Sequence, residues 1–292
     1  MAFDNAYEAL ADAHDDARWA FGTGFEDPLS GVDTTVPSGV DGDDLARYCL
    51  MLGDDALVLS HRLQQWCTRA PELEDEVAIA NIGLDLLGQA RLLLARAGKA
   101  DGTGRGEDHY AYFRGEHEFR NVRLAEREQT DFAQLVATML VLTTWRLAVF
   151  QRLRESADPV LAAIAQKGVH ELTYHRDYAA QWVVRLGDGT ETSRARTVAA
   201  FDDVWPLVAE LFETHDVERR LRGVAVDPVE VRDEFDDVLT QVLSAATLET
   251  PQVRAKAGVA GGKGRDGRHT EAMGYLLAEL QSVARAHPEA TW

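Results

Sequence analysis

Nine histidines, and the residues that precede them, set the first limit on what chemistry this chain can do. A helical protein that binds two redox metals in its core takes one Glu from each of two helices and a Glu-x-x-His pair from each of two others. That spacing puts carboxylate and imidazole on one helical face, a turn apart. The residues three before His14, His61, His109, His117, His170, His175, His215, His269 and His287 are Ala11, Val58, Gly106, Arg114, Lys167, Leu172, Phe212, Asp266 and Ala284. Only Asp266 is acidic, and it lies in a glycine-rich stretch, not on a periodic helix. The full di-metal signature is missing.

Polar residues nonetheless fall on apolar helical seams. Asp85 sits in the apolar middle of one run, with Asn81 and Gly88 on its face and Gly88 where a ligand histidine would stand. Asp54 and Asp55 lie in the middle of another run, Thr143 and Arg146 on a third, and Glu171 and His175 one turn apart on a fourth. A buried carboxylate must be paired or protonated. Three arrangements meet that demand. Asp85 and Glu171 are neutralised by Arg146 and His175, as an ionic network where a metal pair would otherwise sit. Alternatively, these side chains reach the surface or a subunit interface. In the third, Asp55, Asp85, Glu171 and His175 make one unorthodox metal site.

Other chemistry finds little support. Cys49 and Cys67 are 18 residues apart, about 27 Å on a single helix, too far to bridge. No serine or cysteine has a base partner at a readable spacing. Gly-Gly-Lys-Gly at 261–264 has neither the spacing nor the preceding strand of a phosphate-binding loop. The segment 254–269 is the one basic stretch, with Arg254, Lys256, Lys263, Arg265, Arg268 and His269 among glycines. It reads as a flexible surface loop balancing local charge, as a partner contact, or as a phosphate contact made partly through backbone amides.

The elements that must position these groups are helical. Apolar residues recur at three and four, not at two. Leu45, Cys49, Leu52, Ala56, Leu59, Leu63 and Trp66 make a bundle seam over about 43–69. A second helix over about 72–97 is apolar nearly all round at AIANIGLDLLGQARLLLA, which marks a central position. Gly98 to Gly106 reads as a loop. A third helix spans about 131–156, capped by Asp131, and a fourth about 160–186, stopped by Gly187. Shorter helices follow at about 194–214, 229–247 and 270–286. The expectation is an all-α protein: a ferritin-like four-helix bundle with additional C-terminal helices. Residues 43–292 form that domain. Residues 1–42 form a partly irregular N-terminal extension, with a short helix over 3–21.

Composition bounds the partners. The 292 residues carry a net charge of −19, which argues against nucleic acid and anionic membranes. No run of 18 residues is free of charge, so no transmembrane helix is expected, and the N-terminus has no cationic leader. A cytoplasmic protein with reduced thiols follows. Only Lys99, Lys167, Lys256 and Lys263 are lysines, a bias that both a salt-tolerant cytoplasm and a GC-rich genome favour.

Longer motifs carry more than periodicity. LGDDALVLSHRL, APELE and ANIGLDLLGQAR, then HELTYH, WVVRLGDGT, GVAVDP and GGKGRDGRHTEAMGYLLAELQ, resemble in order the C-subunit family of phenylacetyl-CoA epoxidases. The resemblance covers about residues 44–292. It implies a fold shared with the catalytic A subunit, which holds the di-iron centre and the acyl-CoA. It implies a non-catalytic structural partner that carries no cofactor of its own. It further implies a small B subunit and a reductase that passes electrons from NADPH through flavin and an iron–sulfur cluster. The missing Glu-x-x-His pairs agree with that role. Two other readings stand beside it: a module docking acyl-CoA through Lys256, Lys263, Arg265, Arg268 and His269, and an independent metal-dependent oxygenase.

Overall fold

The computed structural model describes residues 29–258 and 261–290. Among these residues the chain is helical and contains no β-strand. The order is α1 (Gly42–Gln64), α2 (Leu73–Ala100), α3 (Glu107–Tyr112), α4 (Phe132–Leu153), α5 (Pro159–Gly187), α6 (Glu191–Val208), α7 (Asp216–Arg220), α8 (Arg232–Ala245) and α9 (Glu271–Ala286). The helix expected over 3–21 lies outside the described residues.

Two antiparallel pairs, α1/α2 and α4/α5, make the four-helix bundle, and α2 packs against α5. Small residues set how close the partners come. A Cβ on Gly83 would stand 2.7 Å from Gln64 on α1, and one on Gly168 would stand 2.7 Å from the Phe150 ring on α4. Gly88 differs: nothing approaches its α-carbon face within 4 Å, so it is not part of that close packing. Helices α6 and α8 lie against α4 and α5, α7 against α1, and α9 against α1 and α3.

Side-chain caps start α1, α4 and α5, whereas α2 has none. Asp41, Asp131 and Asp158 accept from the amides of Asp44, Gln134 and Leu161 at 3.0, 2.9 and 2.9 Å. Asp158 thus opens α5, with Pro159 at its first position. Several ends differ from expectation: α4 stops at Leu153 rather than 156, α6 spans Glu191–Val208 rather than 194–214, and α8 spans Arg232–Ala245 rather than 229–247. α1 finishes at Gln64, and residues 65–69 are turns. α2 runs through Gly98 to Ala100. Gly98 is needed for contact, since a Cβ there would lie 1.9 Å from the Arg105 carbonyl oxygen.

Residues 29–41 pack on the bundle through Leu29, Val32, Val36 and Val40. Helices α2 and α4 are long and apolar enough to cross a membrane by length and composition. They differ in burial: the apolar window of α4 is 89% buried inside the protein, that of α2 only 44%. Part of the difference lies on the outer face of α2, where Val77 and Leu84 are 54% and 46% exposed.

Candidate functional site

Asp54 and Asp55 are adjacent on α1, and both are buried. Neighbours on a helix point about 100° apart, so each needs its own cation. Asp54 receives both terminal nitrogens of Arg114, Nη1 at 3.0 Å, and the amide of Arg120 at 2.8 Å. Asp55 receives Arg265 through Nη1 at 3.1 Å and Nη2 at 2.7 Å, and the amide of Val122 at 2.8 Å. Arg265 also donates to the carbonyls of Met51 and Arg120, each at 2.7 Å. Burial works against the charge on Arg265, and Asp55 with Glu218 and Glu210 outweighs it, so the guanidinium pKa is raised, while burial raises that of the Asp55 carboxyl against the pull of Arg265.

A second polar line joins α2, α4 and α5. His175 Nε2 lies 3.0 Å from Asp85 Oδ2, with the imidazole fully buried and the carboxylate side chain 39% exposed. One turn along, Gln89 donates to Glu171 at 2.9 Å and accepts from Arg146 Nε at 3.0 Å. Lys167 holds the other Glu171 oxygen at 3.0 Å. Arg146 Nη1 donates to the Leu52 carbonyl on α1 at 2.9 Å, and its carbon lies 4.4 Å from the centre of the Phe150 ring. Burial pushes the Arg146 pKa down to about 10, against the attraction of Asp55.

Of the pairs expected here, His175 meets Asp85. Arg146 does not reach Glu171, because Gln89 stands between them. The expectation omitted Gln89, although it lies four residues after Asp85 on an apolar helix, a readable signal. Asp55 turns to Arg265, which the sequence placed in a basic surface stretch.

That stretch is not one patch. Arg265 is buried against Asp55, and Lys263 pairs with Glu213. His269 lies buried between Glu126, at 2.7 Å, and the Phe119 carbonyl, at 3.2 Å. Burial lowers the tendency of His269 to protonate, and Glu126 more than offsets this, so its pKa is raised. The turn amides are spent inside the chain. Those of Lys263 and Gly264 donate to Asp266 and Glu210, and those of Asp266, Gly267 and Arg268 to backbone carbonyls. Arg254, Lys256 and Arg268 remain exposed.

Residues 114–126 carry groups that the sequence alone did not reveal. Besides Arg114, Arg123 Nε meets Glu210 at 2.7 Å, and Glu126 also accepts from Asn121 at 3.0 Å and from the Thr270 amide at 2.6 Å. These residues show no helical period, and their partners lie far away in the chain.

A di-metal centre does not fit these donors. Asp55, Asp85 and Glu171 are each bonded to Arg265, His175, or Gln89 and Lys167. Among the described residues no three His, Cys, Asp or Glu side chains group as ligands.

A chain of these features matches known proteins along most of its length. It is 42% identical over 253 residues to the C subunit of 1,2-phenylacetyl-CoA epoxidase of Escherichia coli (strain K12), an alignment covering 86% of this chain and all of that relative. The model of the family described as phenylacetic acid catabolic protein matches residues 32–292, and the chain belongs to that family.

Proposed function

We propose that this chain is the non-catalytic structural subunit of a phenylacetyl-CoA epoxidase, a cytoplasmic complex of aerobic phenylacetate breakdown. In this reading it braces the catalytic A subunit, which holds the di-iron centre and the acyl-CoA. A small B subunit and an NADPH-dependent reductase with flavin and an iron–sulfur cluster complete the complex, and this chain carries no cofactor. The observation that carries the reading is the state of the core carboxylates: Asp54 and Asp55 each have an arginine from within the chain, and Asp85 is hydrogen-bonded to His175. An independent oxygenase would have to break those pairs to free ligands. A module docking acyl-CoA phosphates through 254–269 loses Lys263, Arg265 and His269 to Glu213, Asp55 and Glu126.

The outer face of α2 supports a partner of similar build. It includes Val77 and Leu84, which are 54% and 46% exposed. Between Val77 and Leu92 only Asp85 and Arg91 are charged, in a chain of net charge −19. A bundle that binds there stiffens the helices carrying its partner's ligands. The test is to express the A subunit with and without this chain and to measure its solubility, iron content and epoxidation. Alone, the A subunit is expected to be poorly soluble or to lose iron. An A subunit fully active by itself overturns the bracing role.

A further inference from the structure

We propose that the core of the bundle binds one water molecule, which bridges Arg146 on α4 to Asp55 on α1. Arg146 is buried, and its protein partners are neutral: the Gln89 oxygen, the Leu52 carbonyl and the Phe150 ring. Its Nη2 is buried and has no acceptor among protein atoms. A guanidinium N–H left without an acceptor in an apolar core carries a full desolvation cost.

Beside it is a cavity of about 10 Å³, walled by Asp55, Thr143, Trp145, Arg146 and aliphatic side chains of α1, α2 and α4. That volume is about the size needed for one water. The polar walls offer it both donors and acceptors, and Trp145 Nε1 is a second buried donor without a partner among protein atoms. Arg146 donates, and Asp55 accepts. Thr143 Oγ1 also accepts, since its own proton goes to the Met139 carbonyl at 2.6 Å. Three partners is the usual number for a buried water. Charge favours a neutral ligand: the Asp55 carboxylate repels an anion, and Arg146 repels a cation.

The water completes a polar line across the bundle. It runs from Lys167 through Glu171, Gln89 and Arg146 to Asp55 and Arg265.

The test is a high-resolution crystal structure of the full chain, from crystals grown with bromide, together with Thr143→Val and Thr143→Ser. The expected result is one density peak within hydrogen-bond distance of Arg146 Nη2 and of Asp55 or Thr143. It has no anomalous signal. Valine removes the acceptor with little change of shape, so that variant loses the peak and melts lower than the serine variant, which keeps it. No peak in the native chain, or bromide at that position, overturns the proposal. So does a valine variant that keeps the peak and melts with the serine variant.

Discussion

Arg146 and His269 show how single buried cations serve this fold in different ways. Arg146 bonds neutral groups on two helices and so ties α1, α2 and α4 at one point. His269 instead works through its charge, against a Glu126 with no exposed surface. Its protonation is coupled to folding. The folded pKa is raised above the ordinary 6.5, so the folded state holds the proton more tightly than the unfolded chain. The stabilisation is therefore full below about pH 6.5 and is lost as pH rises through the folded value. Glu126 faces the ring directly, Glu116 adds attraction, and the Phe119 carbonyl accepts from the other nitrogen. His269→Gln is expected to lower the melting temperature strongly at pH 6 and much less at pH 9. Thermal unfolding of both proteins across that range checks it, and an equal loss at both ends rules the ionic pair out as the cause.

At the scale of elements, buried ion pairs fasten the connecting segments to the bundle and to each other. The 114–126 connection and the 264–270 segment contribute Arg114, Arg265 and His269, while α1 supplies Asp54 and Asp55. Removing one member strands the other. Arg265→Met is expected to cost about 3–5 kcal/mol by leaving Asp55 unpaired. In a chain this long that lowers the melting temperature by roughly 5–8 °C. Adding Asp55→Asn should restore most of the loss, because the stranded charge goes with it. A double variant no better than Arg265→Met alone counts against the pairing. The same segments mark where the sequence stops being readable. The four bundle helices are legible because burying one face imposes a period of three and four, and Asp131 caps α4 locally. Arg265 is not legible as a core residue, since its partner is 210 residues away and glycines around it leave no period. Asp54 and Asp55 hold the available clue. Two adjacent acids within an apolar seam require two cations from elsewhere, and the glycine-rich stretch is one of few places to find one.

For the whole molecule, the unusual feature is where burial and composition disagree. α4 and α2 are similarly apolar, but α4 is enclosed, and α2 leaves Val77 and Leu84 open to solvent. A chain of net charge −19 has acidic residues enough to cover a free surface, so a face so poor in charge fits a surface that a partner covers. The exposed residues are peripheral to the chain's own core, which lets folding and assembly be separated. Leu84→Glu adds a charge on the solvent side of α2, and changes at such sites alter stability by about 0.5 kcal/mol or less. The variant should therefore melt with the native chain, within about 2 °C. Assembly should respond differently, because a carboxylate buried in an apolar interface without a partner costs several kcal/mol and so several orders of magnitude in affinity. Co-expression of tagged A subunit with either form measures this: native chain is retained on the column, and Leu84→Glu passes through. Full retention of a well-folded Leu84→Glu chain would move the interface off α2 while leaving the pairs in the core, and the structural role argued from them, intact.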